Sequence, residues 1–360
     1  MKRYGWLLGC CLFLSIGMLW AADEPDLRML QQKAAQSRDM EGYVGVCKYL
    51  YQTEENPELL LLYADSIHQL ATKSKKPEQL VEYYIWASEG NFIKGDFQQG
   101  YALKRKAIAL AEKAGLKFAI SQSCCDMGYY CNVDARYDSA RYYFRKGLEA
   151  GEDLSEAGEA CRTMLTNYAS SFLFEGKTDS ALVYTIRASE RSAADKDTAM
   201  LIENLNQLGT IYRRKKNLEN CIANFEQALH LCELRGNHNA VAFIYGNIAT
   251  AYCDWNRPVD AIPFSEKAVE YALKTGNKRR IGTCYVNLGA IQIRLVQMRA
   301  EGIATLLKAI PILEEVNDRR LLCDAYNYLV NAYRMDGNLN QAMYYLQKLD
   351  KLAHEMQTDA

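Results

Sequence analysis

The sequence has 360 residues, 49% of them hydrophobic, only 6 prolines and a formal net charge of −1. No run of alternating β-branched residues occurs, so the composition points to an all-helical protein and away from a sheet. A charge balance this close to neutral argues against nucleic acid or anionic membrane as the main partner.

Residues 1–22 read as a secretory signal peptide: Lys2 and Arg3, an apolar run from Trp6 to Trp20, then Ala21 and Ala22 ahead of Asp23 and Glu24. The run is shorter than the roughly 20 residues a spanning helix needs, so an uncleaved anchor is the weaker alternative. Cleavage after Ala21 or Ala22 and export to the periplasm or cell envelope are expected. Segment 23–76 reads as a capping helix from about Asp26 to Ser37 and a degenerate first repeat from Met40, broken at Asn56-Pro57. Asparagine suits the N-cap, and proline the first helical place, where its missing donor costs nothing.

Segment 77–360 reads as seven helical hairpins. The breaks within them fall at Gly95, Ala135, Gly176, Lys216, Asn256, Met298 and Gly337, and those between them at Gly115, Gly151, Lys196, Gly236, Gly276 and Asn317. Glycine and asparagine tolerate the left-handed conformation that ends a helix, and Asp or Asn then caps the next. Pro311 is expected to kink its helix and Pro263 to do so near a helix start. The last helix carries Tyr344, Tyr345, Leu346, Leu349 and Leu352 with nothing after it to cover its outer side. It is expected to self-associate or to dock on another molecule, unless the chain is the front of a longer design.

The hairpins keep a register. A small residue stands at Ser88, Gly128, Ala169, Gly209, Ala249 and Gly289, with Val330 next in phase, a step of about 40 residues. Further small residues follow in the second helix, as at Ala181 and Ala188 or Ala261 and Ala268. The repeat that starts near Asn277 needs one extra residue in its turn. One such hairpin cannot bury its own apolar face, so successive copies stack.

NQLGTIY from Asn206 to Tyr212 and NLGAIQ from Asn287 to Gln292, with the paired small and bulky places after them, resemble the tetratricopeptide repeat. The longer step is similar to that family's long-helix branch. The resemblance implies an all-α fold, a right-handed α-solenoid of stacked antiparallel helix pairs whose first helices line a concave groove. Asn91, Cys131 and Gln292 depart from the pattern where an aromatic is usual, and looser packing is expected there.

There is no GxGxxG, P-loop, GxSxG or HExxH motif, and the four histidines fall in different repeats. The reading is a non-enzyme with no catalytic residue, no metal ligand and no cofactor. The cysteines beyond the leader form no CxxC and sit at packing places, as Cys221 does, so buried reduced thiols are expected. Cys124, Cys125 and Cys161, or Cys284 and Cys323, are the alternatives for bridging.

In the tetratricopeptide family the groove places lie two, three and six residues before the small anchor and one and four after it. Carried onto this chain they include Asn132, Asn167, Asn206, Arg213, Phe243, Gly246, Asn247, Asn287, Asn327, Asn331 and Arg334. An asparagine amide offers both a donor and an acceptor, which matches the backbone of an extended peptide without reading its side chains. The equal alternative is that these amides bond to the neighbouring helix and hold the stack. Arg213 and Arg334 suit an acidic side chain or a terminal carboxylate. The expected function is an exported, non-catalytic scaffold that binds a peptide or protein in its groove. The alternative is a sensory or regulatory input module of kinase or helix-turn-helix type that lacks its output domain.

Overall fold

The computed structural model describes residues 27–53 and 56–358. The leader lies outside the described residues, among which there are α-helices and two short 3-10 turns but no strand. The chain divides into two compact units, one ending at Lys196 and one beginning at Asp197.

In the first unit, α1 (Leu27–Ser37) precedes four antiparallel pairs. They are α2 (Met40–Thr53) with α3 (Pro57–Ser74), α4 (Pro77–Lys94) with α5 (Phe97–Ala114), α6 (Lys117–Val133) with α7 (Tyr137–Gly151), and α8 (Gly158–Phe174) with α9 (Thr178–Ala194). The second unit pairs α10 (Thr198–Arg214) with α11 (Leu218–Leu234), α12 (His238–Asp254) with α13 (Pro258–Thr275), α14 (Lys278–Ile293) with α15 (Arg299–Glu315), and α16 (Arg319–Met335) with α17 (Leu339–Thr358). Each unit is an all-α solenoid of antiparallel pairs. First helices also pack on the first helix of the next pair, α6 on α8 and α12 on α14, so they form the more crowded layer of each stack.

Helix ends follow the chemistry of the turns. Asn56 caps α3 by accepting from the Leu59 amide at 2.9 Å, with Pro57 in the first turn. Asp197, Asn217, Asn237, Asn277 and Asp318 cap α10, α11, α12, α14 and α16 in the same way. Each cap thus satisfies one of the orphan amides of its helix start. Helices close through a left-handed residue, glycine at Gly95, Gly236 and Gly337, but Ala135, Lys196, Lys216 and Asn317 elsewhere. The one extra residue expected in the repeat near Asn277 appears as a turn two residues longer after a helix one residue shorter: the turn after α14 runs over 294–298 and contains a 3-10 turn, against 215–217 and 255–257 in the two pairs before it, and α14 has 16 residues against 17. Pro263 and Pro311 both lie inside helices that continue past them.

Pairs close because small faces large. A Cβ on Gly209 would stand 2.5 Å from the Phe225 ring, and one on Gly289 would stand 2.7 Å from Leu306. Phe225, Leu306 and the small Ala181, Ala188, Ala261 and Ala268 are buried. Fully burying side chains of this size stabilises by about 1.5–3 kcal/mol each. Of the places where looser packing is expected, Cys131 and Gln292 are buried and Asn91 is half-buried. Phe92 and Tyr130, each next to one of the departing residues, stack at 3.6 Å and fill that layer. Gln292 is buried and donates to Glu301 Oε1 at 2.9 Å. All described cysteines are free and most are buried.

Candidate functional site

In the second unit the small anchors Gly209 and Gly289 lie against Phe225 and Leu306 of the second helices, and the groove places stand to the side of the anchors on the first helices. There the Asn247 amide nitrogen donates to Asn206 Oδ1 at 2.7 Å, joining α12 to α10. Both residues are half-buried. Asn206 keeps its nitrogen and Asn247 its carbonyl oxygen for another partner. Thr210 and Thr250 are turned inward, donating to Asn206 O and Gly246 O at 3.1 and 2.8 Å. Arg213 lies 3.6 Å from Asp254 of the next first helix, so its charge is partly used within the stack. Asn287, Asn327 and Arg334 are exposed and Asn331 is half-buried. Arg334 forms no ion pair among the described residues.

The first unit treats the same places differently. Asn132 is 2% exposed and donates through Nδ2 to Asn167 O at 3.0 Å, which pins α6 to α8. Asn167 is itself only 5% exposed, and Asn132 Oδ1 is buried without a partner. Thus the asparagine and arginine places separate into a buried pair, Asn132 and Asn167, a bonded and half-buried pair, Asn206 and Asn247, Arg213 near Asp254, a half-buried Asn331, and the exposed Asn287, Asn327 and Arg334.

Sequence reasoning missed a buried ion centre on this face. Lys104 of α5 is wholly buried, in contact with a Glu89 carboxylate oxygen from α4 and 2.9 Å from Asp126 Oδ2 of α6. The Tyr130 hydroxyl donates to the other Glu89 oxygen at 2.8 Å. Burial alone would lower the Lys104 ammonium, but the Asp126 and Glu89 carboxylates beside it outweigh that and hold it above the ordinary lysine range. Burial likewise raises the Glu89 carboxyl, against the pull of Lys104. The register carried a signal for this centre. Lys104 occupies the second-helix place that Phe144, Phe225 and Leu306 fill in other pairs.

In the second unit Glu203, at a groove place of α10, is raised to about 7, by burial first and by the Asp197 carboxylate second. Asp324 on α16 is also raised, by burial and then, against the pull of Arg320, by Asp318.

Residues 197–274, spanning α10 to nearly the end of α13, match the tetratricopeptide repeat family. No curated protein matches the chain by sequence. Among solved structures, the apo form of RapI is similar with a TM-score of 0.65 at 13% identity, over 92% of this chain and 95% of that one. The apo form of the quorum sensor NprR from B. thuringiensis is similar with a TM-score of 0.61 at 16% identity, over 91% and 92%. Aspartyl phosphate phosphatase F from Bacillus subtilis follows with 0.57 at 15% identity, over 91% and 88%. Identities this low speak for the fold, an all-α solenoid with tetratricopeptide-type pairs.

Proposed function

We propose that the chain is an exported, non-catalytic scaffold that binds an extended peptide, free or as a segment of a larger protein, on the first-helix face of its second unit. The bonded pair Asn206 and Asn247 carries this reading. With one donor–acceptor contact spent at 2.7 Å, the pair still presents one amide nitrogen and one carbonyl oxygen, the complement of a single peptide unit. The open amides of Asn287, Asn327 and Asn331 extend that row, and Arg334 offers a fork for an acidic side chain or terminal carboxylate. Export rests on Lys2, Arg3 and the apolar run behind them; N-terminal sequencing of the mature protein should begin at Ala22 or Asp23.

The test is the triple variant Asn206→Ala, Asn247→Ala and Asn287→Ala. It is expected to melt like the wild type and to lose capture of envelope peptides and proteins. A large loss of helicity would instead make the asparagines structural.

A likeness to a quorum sensor favours a second reading, a sensory input module that acts by touching a separate output protein. The exposed Leu339, Met343 and Tyr344 of α17, at 69%, 55% and 48%, offer the surface for that contact or for a second copy. Sedimentation of the mature chain over a range of concentrations separates the two.

A further inference from the structure

A glycine inside a helix weakens it relative to alanine, so each one calls for a reason. In the second unit most have one. A Cβ at Gly209, Gly282, Gly289 or Gly302 would come within 2.5 to 2.7 Å of Phe225, Leu313, Leu306 or Ile293. Gly246, in the middle of α12, has none: nothing lies within 4 Å of the Cβ it lacks. Packing of the fold does not demand a glycine there.

Its surroundings point outward. Gly246 stands on the first-helix face, one residue before Asn247, which is bonded to Asn206. Phe243 precedes it by almost a turn, with the Arg280 guanidinium 5.2 Å from the ring centre. Thr250 follows by about a turn, and its hydroxyl is already committed to Gly246 O at 2.8 Å. The result is an open stretch of bare backbone with an aromatic ring almost a turn before it and a bonded amide pair beside it. Gly45 of α2 has similar open space, but α2 contains no asparagine. Openness alone therefore does not make the arrangement.

We propose that Gly246 is the specificity-determining place of this face, the floor under a bulky apolar side chain of the bound peptide whose backbone is held by Asn206 and Asn247. This rests on the peptide-binding reading above. An apolar side chain fits because the Phe243 ring stands beside this open backbone for contact and the Thr250 hydroxyl is already spent. Alanine or leucine at position 246 would occupy that open space while the helix itself gained.

The experiment uses the purified mature chain and a synthetic random library of peptides of roughly nine residues, long enough at about 3.3 Å per residue to cross helices spaced about 10 Å apart. Wild type is expected to enrich peptides with a large aromatic or branched residue at one fixed place. Gly246→Leu, checked to be folded by its melting curve, should retain them about tenfold or more weakly. Gly246→Ala should melt at an equal or higher temperature and shift the preference at that place alone towards smaller residues. Asn206→Ala with Asn247→Ala should lower retention of all peptides and leave the preference in place. A folded Gly246→Leu protein with unchanged retention and preference overturns the role of Gly246 and spares the scaffold reading. A wild-type chain that retains no peptide overturns both.

Discussion

One place in the repeat is filled in two ways. In the second helix of a pair it holds Lys104 in one pair of the first unit, but Phe144 in another and Phe225 in the second unit, and all three are buried. Phe225 closes its pair by lying on Gly209, an apolar solution. Lys104 requires Glu89 and Asp126 from two first helices, and so it knits α4, α5 and α6 into one centre. The asparagines differ in the same sense. Asn132 and Asn167 are sunk and tie α6 to α8, whereas Asn206 and Asn247 tie α10 to α12 and still face outward. The comparison teaches that equal phase in a repeat does not mean equal use: the first unit turns its polar face inward for cohesion, and the second keeps its own available.

The largest expected effect breaks the comparison at its root. Lys104→Ala leaves two carboxylates facing each other, one of them fully buried, and should destabilise by about 3–5 kcal/mol in urea unfolding. Replacing both Lys104 and Glu89 by methionine should recover much of that loss, because the buried charge goes with its partner. Phe225→Ala in the second unit should cost about 3–4 kcal/mol through a cavity against Gly209, and no second substitution at a charged residue should rescue it.

Smaller changes sharpen the contrast between the asparagines. Asn132→Ala removes a buried hydrogen bond between α6 and α8, an expected loss of about 1–2 kcal/mol, whereas Asn206→Ala should cost less than about 1 kcal/mol because water replaces the lost partner. The smallest effect concerns pH. Glu203 has its folded pKa raised to about 7 from an ordinary 4.5, so in that window the native chain holds a proton that the unfolded chain has released. Stability therefore falls as pH rises through the window and levels off above it. Glu203→Gln should flatten this slope, a difference on the order of 1 kcal/mol between melts at about pH 5 and about pH 8.

Much of the fold was legible because repeats announce themselves through chemistry that is local. The caps at Asn56, Asn217, Asn237, Asn277 and Asp318 act within three residues, and the small anchors recur at a fixed step. What stayed hidden depends on residues far apart in the chain. A lysine at a core place reads as solvated until Glu89 and Asp126, 15 and 22 residues away, are brought to it. Phase placed Asn132 on the groove side but could not give its depth, which is set by how closely α8 approaches α6. The division after Lys196 had no marker either, since a left-handed residue followed by a capping Asp197 is the same turn chemistry used at other joints.

The proposed binding surface is the open face of the second unit. A photo-crosslinking residue placed at Asn287, on that face, and at the exposed Glu226 of α11, on a second helix, tests it most directly in cells that make the full chain. A discrete adduct of the same mass from several cultures at position 287, with none at 226, is the predicted result. Adducts of equal yield at both positions, or at 226 alone, would contradict it.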